Sequence, residues 1–118
     1  EMGFLVKLDT NGSRPEVLKR LLADKLLDFI AMDIKATPER YHILAGVPVD
    51  IAAVTKSITV IARADIPALF RTTWVTGLHR QEERNLIPAM LPETMCHVFQ
   101  PFKPEHALQP DLCGMEQG

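Results

Sequence analysis

An α/β fold with three to four parallel strands and flanking helices is predicted by three observations. Short apolar runs alternate along the chain with stretches of helical periodicity, the signature of βα units. The run from Leu27 to Ile34 is apolar apart from Asp28 and Asp33, as suits a strand covered on both faces. Three of the apolar runs end on polar groups: Asp9-Thr10-Asn11-Gly12, then Asp33 and Lys35, then Arg71-Thr72-Thr73. A half barrel and a small open parallel sheet both fit this pattern.

Taken in order, Phe4 to Leu8 is the first expected strand, ending on the Asp-Thr-Asn-Gly turn. Ser13 is placed to cap the following helix, with Glu16 closing a capping box and Pro15 tolerated in the first turn. Val17, Leu18, Leu21 and Leu22 share one face of that helix, which should end near Lys25. Leu27 to Ile34 is the second strand, and residues 38–48 form a loop or a short irregular helix. Asp50 caps a second long helix with Ile51, Val54, Ile58 and Ile61 on one face. Ile66 to Val75 is the third strand. Gln81 to Leu91 is a weaker helix, because Pro88 removes a backbone donor. Met95 to Phe99 is a fourth strand. Pro and polar residues dominate after Pro101, so residues 1–104 are expected to form the domain and 105–118 a frayed tail.

The 118 residues suffice for one domain, and 47% hydrophobic with 24% charged residues is the composition of a globular protein. A net charge of −2 gives no reason to expect nucleic acid or an anionic membrane as partner. The apolar runs fall far short of the ~20 residues that span a bilayer, and a cytoplasmic location is expected. The chain runs from Glu1-Met2-Gly3 straight into an apolar strand with nothing before it to cover that strand, so a fragment of a longer protein is expected. Cys96 and Cys113, 17 positions apart, match neither metal nor redox spacing; two free thiols, one of them buried, are the expectation. His42, His79, His97 and His106 lack metal-ligand spacing and are expected to be exposed or structural, with His79 nearest the strand ends. Tyr41 and Trp74 are expected to pack.

Functional groups of parallel βα folds collect at the carboxyl ends of the strands, where the loops converge. Asp9 and Asp33 would repel each other there unless a cation or a shared proton lies between them. A small hard cation held by Asp9, Asp33, the Thr10 hydroxyl and a main-chain carbonyl would satisfy them. Lys35 and Arg71 could then bind an anionic group of a ligand, with backbone donors of Asn11-Gly12 beside them. Three plainer readings stand next to this one. Asn11-Gly12 is also ordinary turn chemistry, Asp33 and Lys35 could pair with each other, and Arg71 could take Asp9 or Asp33 as its partner without any ligand.

The runs Val6-Lys7-Leu8-Asp9-Thr10-Asn11-Gly12 and Phe29-Ile30-Ala31-Met32-Asp33-Ile34-Lys35 resemble the radical S-adenosylmethionine activases of glycyl-radical enzymes. Phe70-Arg71-Thr72-Thr73 and Val98-Phe99-Gln100-Pro101-Phe102-Lys103-Pro104 are similar to later segments of the same group, in the same order. Within the group, the activating proteins of anaerobic ribonucleoside-triphosphate reductase and of pyruvate formate-lyase look nearest. The resemblance implies the C-terminal half of a partial (β/α) barrel. It implies that Asp9, Thr10 and Asp33 ligate a monovalent cation, with the Ala31 carbonyl as a further ligand. It implies that Lys35 and Arg71 contact S-adenosylmethionine or the bound peptide, and that Asn11 supports them. The intact proteins carry a [4Fe–4S] cluster on a C-x-x-x-C-x-x-C motif and cleave S-adenosylmethionine to make a glycyl radical on a partner enzyme. That motif and the Gly-Gly-Glu motif are absent from this sequence, so the chain alone is expected to bind no cluster and to be inactive. Two other readings are a small enzyme using Lys35 as a Schiff-base nucleophile, and a non-catalytic module that self-associates through an exposed sheet edge.

Overall fold

Residues 5–102 are described by the structure, a computed structural model. The four apolar runs become β1 (Lys7–Thr10), β2 (Phe29–Asp33), β3 (Ala68–Trp74) and β4 (Cys96–Pro101). Between them lie α1 (Pro15–Ala23), a short 3₁₀ turn at Pro38–Arg40 running into α2 (Tyr41–Ala45), α3 (Ile51–Ala62), and α4 (Glu83–Leu86) with a 3₁₀ turn at Pro88–Met90. The sheet order is β1-β2-β3-β4 and every pair is parallel. Each strand therefore lies beside its predecessor, without the reversal of order that marks a doubly wound sheet. The result is an α/β fold consistent with part of a βα barrel.

One face of the sheet is covered. Ile30, Met32 and Phe70 are fully buried against Leu18 of α1, Val54, Ile58 and Ile61 of α3, and Ile87 after α4. Each such side chain contributes about 1.5–3 kcal/mol by leaving water, so this layer supplies most of the drive to hold the helices on the sheet. Gly12 lets α3 and the sheet close over the first turn. Its φ is +75°, and a Cβ there would stand 2.2 Å from the buried Met32 Cε. The Ser57 hydroxyl of α3 donates to the Gly12 carbonyl at 2.8 Å.

Several local expectations are corrected. β1 runs to Thr10 and not Leu8, because its register is set by β2: Lys7 pairs with Phe29 and Thr10 with Met32. Phe4 lies outside the described residues, as does the expected tail at 105–118. Ser13 does not cap α1. The Asn11 side chain accepts from the Ser13 amide at 3.0 Å, so the chain is still turning there, and the helix starts at Pro15 after Arg14 with no side-chain cap. α1 ends two residues early, where Lys25 takes φ +55°. The Lys25 amide bonds the Leu22 carbonyl and the Leu26 amide bonds that of Leu21, a Schellman closure usually made with glycine. Cys96 is disulfide-bonded, against the expectation of a free thiol, since a spacing argument tests only local metal and redox motifs; Cys113 lies outside the described residues. Asp50 caps α3 as expected, accepting from the Ala52 and Ala53 amides at 3.0 and 3.3 Å. Pro88 breaks the last helix as expected. Among the described residues, no helix is long and apolar enough to cross a membrane.

Candidate functional site

Strand alternation decides which side chains can meet. Asp9 is opposite Ala31, and Asp33, two residues further along β2, is opposite Arg71 of β3. With a side-chain period of two, Asp9, Asp33 and Arg71 share the sheet face away from the core. There the Arg71 Nε donates to Asp33 Oδ1 at 2.8 Å and its Nη2 donates to Asp9 Oδ1 at 3.1 Å. One guanidinium thus bridges the carboxylates of the two preceding strands. Burial pulls the Arg71 guanidinium down, but the hydrogen bond to Asp33 and the charges of Asp33 and Asp9 outweigh it and hold its pKa above the ordinary value. Lys7 Nζ lies 4.0 Å from Asp9 Oδ1 as well, so the two carboxylates face two cations, one of them on an exposed side chain.

Of the remaining residues of the predicted site, Thr10 is in register with Met32 and so faces the core side of the sheet, away from Asp9, while Asn11 and Lys35 follow the ends of β1 and β2. The Thr10 hydroxyl accepts from the Gly12 amide at 3.0 Å, and Asn11 closes the turn with its carbonyl oxygen. Both are therefore in the turn chemistry that Asn-Gly suggested. Lys35 follows β2 by two residues. Asp33 pairs with Arg71 and not with Lys35, whose ammonium makes no hydrogen bond or ion pair among the described residues. Lys35 Nζ, Arg71 Nη1 and the Asn11 amide nitrogen make no hydrogen bond among the described residues. No cluster of three or more His, Cys, Asp or Glu side chains placed to hold a metal occurs among the described residues.

A second polar network lies under the loop that carries Lys35, and sequence reasoning missed it. Glu83 of α4 is 1% exposed. Its carboxylate accepts from the Thr37 amide at 3.1 Å, the Thr37 hydroxyl at 3.2 Å, Arg40 Nε at 3.2 Å and the Arg80 amide at 2.9 Å. Burial pushes the Glu83 carboxyl up, but the hydrogen bonds from Arg80, Thr37 and Arg40 together bring it below the ordinary carboxylate range. Arg40 also donates to the Leu78 carbonyl. Tyr41 and His79, expected to be packing or structural residues, are buried and polar-bonded. The Tyr41 hydroxyl accepts from the Lys35 amide at 3.1 Å. His79 Nδ1 accepts from the Val75 amide at 2.9 Å, so Nε2 carries the proton and donates to the Lys35 carbonyl at 2.8 Å. The ring stacks on Trp74 at 4.5 Å. No periodicity announces these contacts; an acidic residue in a short polar helix gives no sequence signal of burial.

Clefts open at both ends of the strands among the described residues. One of about 440 Å³ lies at the carboxyl ends of β3 and β4, where Arg84 sits over Trp74 and Phe99. A larger one of about 790 Å³ lies between α1 and α3 at the amino ends of the strands, away from Asp9, Asp33 and Arg71. The strand-end cluster, and not the larger cleft, holds the groups suited to chemistry.

The class defined by fold and site is therefore an α/β fold of four parallel strands, consistent with part of a βα barrel, with a charged cluster across the carboxyl ends of three successive strands. The chain is similar to a protein of Methanocaldococcus jannaschii named "putative glycyl-radical enzyme activating enzyme", with 30% identity over 111 residues. The alignment covers 91% of this chain and 46% of that protein, so the chain spans about half the length of the curated relative it matches. No protein-family model and no solved structure matches it.

Proposed function

We propose that this chain is the C-terminal part, residues 1–104 with a tail at 105–118, of a radical S-adenosylmethionine activase that makes a glycyl radical on a partner enzyme. The observation that carries the reading is the Arg71 bridge between Asp9 and Asp33 at the strand ends, in a chain similar along 91% of its length to a protein named "putative glycyl-radical enzyme activating enzyme". Lys35 Nζ, Arg71 Nη1 and the Asn11 amide suit the carboxylate of S-adenosylmethionine, since each donates and none has another partner among the described residues. The carboxylates of Asp9 and Asp33 and the Ala31 carbonyl supply oxygen ligands of the kind a monovalent cation takes, whereas the Thr10 side chain, in register with Met32, lies on the opposite face of the sheet. The strands at the two sheet edges, β1 and β4, serve as the joints to the rest of a barrel.

The iron–sulfur cluster of such activases does not fit this chain. A radical S-adenosylmethionine cluster needs three thiolates, the chain has two cysteines, and Cys96 is already disulfide-bonded. Reductive cleavage of S-adenosylmethionine is accordingly assigned to the longer protein, and the chain alone is inactive in this proposal. The partner is a glycyl-radical enzyme of the anaerobic ribonucleotide reductase or pyruvate formate-lyase type.

The coding sequence upstream of Glu1 gives the first test: an in-frame C-x-x-x-C-x-x-C is expected, and its absence sinks the activase reading. The second is anaerobic reconstitution of the full-length gene product with iron and sulfide. A reduced cluster signal in paramagnetic resonance and release of 5′-deoxyadenosine are expected, both persisting in the chain's Asp33→Asn variant at reduced S-adenosylmethionine affinity.

A further inference from the structure

The backbone around Lys35 is held from both sides by side chains that belong to other elements. Its amide donates to the Tyr41 hydroxyl of α2 at 3.1 Å, and its carbonyl accepts from His79 Nε2 of the loop after β3 at 2.8 Å. Two residues on, the Thr37 amide and hydroxyl both donate to Glu83 of α4. Tyr41, His79 and Glu83 are all buried. The Tyr41 hydroxyl also donates, at a long 3.5 Å, to the Asp33 carbonyl, and burial pushes its pKa up, so it stays a neutral O–H. The ammonium of this residue, so tightly fixed in its main chain, makes no hydrogen bond or ion pair among the described residues. A long flexible amine loses less freedom on meeting a ligand when its backbone is already set.

We infer that Tyr41, His79 and Glu83 are positioning residues that preset Lys35 at the mouth of the strand-end site for an anionic group of the ligand. The inference rests on the ligand-contact reading of Lys35 given above. None of the three touches the ligand; they act through the Lys35 and Thr37 backbone. His79 is the informative one, because its two nitrogens do different work. Asn at this position can keep the acceptor toward Val75 and loses the donor toward Lys35, whereas Gln can restore a donor near the place of Nε2.

The test uses the full-length gene product and two readouts. The first is amide hydrogen exchange. The Lys35 amide is expected to be protected and to lose protection in Tyr41→Phe, and the Thr37 amide in Glu83→Gln; unchanged exchange in both overturns the inference whatever Lys35 does. The second is S-adenosylmethionine affinity by calorimetry. His79→Asn and Tyr41→Phe are expected to weaken binding about 3- to 10-fold, the worth of one hydrogen bond, and His79→Gln to recover most of it. Repeated on a Lys35→Met background, His79→Asn should have no further effect. Equal weakening on both backgrounds shows a merely structural role and overturns the inference. A Lys35→Met variant that binds as tightly as the parent overturns instead the ligand role of Lys35 on which it rests, while the exchange data still decide whether the backbone is held as described.

Discussion

Arg71 donates to Asp33 at 2.8 Å and to Asp9 at 3.1 Å, so residues 38 and 62 positions away in sequence meet on one guanidinium. The two contacts are unequal in setting. The Asp9 side chain is 57% exposed and that of Asp33 36%, so water screens the first more. Removing Asp33 by Asp33→Ala is expected to cost about 1–2 kcal/mol, in the range of hydrogen bonds to charged groups. Asp9→Ala should cost about 0.2–1 kcal/mol, as exposed pairs do. Urea denaturation in a double-mutant cycle with Arg71→Met checks the order: coupling to Asp33 must exceed coupling to Asp9.

Glu83 should matter more to stability than either of these. Glu83→Gln leaves the Arg40 guanidinium, 18% exposed, without its counter-charge, and about 2–4 kcal/mol of stability is expected to go with it. The pH dependence has a definite sign. Because the folded-state pKa of Glu83 is depressed, its contribution is fully present above the ordinary carboxylate value near 4.5 and is lost as pH falls through its own lower value. Acid denaturation midpoints of the parent and Glu83→Gln chains should therefore converge toward low pH; a constant gap across the range contradicts the assignment.

His97 titrates the other way round from a paired histidine. Burial lowers its pKa from 6.5 to about 4, while its Nε2 lies 2.9 Å from the Thr72 hydroxyl. As pH falls through that window, the unfolded chain takes up a proton that the folded chain refuses. Stability thus drops between pH 6.5 and about 4 and levels off below it, by up to about 2 kcal/mol between pH 7 and 5. Melting temperatures of the parent and His97→Gln chains at pH 7 and 5 measure this, and the variant's curve is expected to be the flatter.

Gly12 is required by its φ of +75°, and an added Cβ would also push aside Met32 Cε, the far end of a flexible but buried side chain. Gly12→Ala should cost about 1–3 kcal/mol from strain and overpacking. Shortening the neighbour in Gly12→Ala/Met32→Leu removes the clash and leaves about 1 kcal/mol of left-handed strain. Chemical denaturation of the three chains separates the two causes. A double variant no more stable than Gly12→Ala excludes the Met32 contact as one of them.

The architecture was legible because burial and alternation are local signals. The apolar run around Ile30 and Met32, the Asp50 cap and the Pro88 break each declare themselves within a few residues of chain, and all three stand in the structure. The strand ends were legible for the same reason: polar groups at Asp9, Asp33 and Arg71, one residue on from Leu8, Met32 and Phe70, had to face away from the core. Local signals also misled. Ser13 and Glu16 have the spacing of a capping box, but Asn11 and Gly12 hold the chain in a turn through Ser13, and α1 starts later.

Only the tertiary structure decided who pairs with whom. Sequence left Arg71 free to take Asp9, Asp33 or a ligand, and left Asp33 free to pair with Lys35. Register sets Asp33 opposite Arg71, and the reach of the guanidinium adds Asp9, so Lys35 is left without an ion pair among the described residues. The same holds for Glu83, whose partners Thr37 and Arg40 lie more than forty positions away. Composition and periodicity record which residues must be buried or exposed, because that is set by contact with water. Pairing depends on the register of strands and the docking of helices, which no single stretch of chain contains.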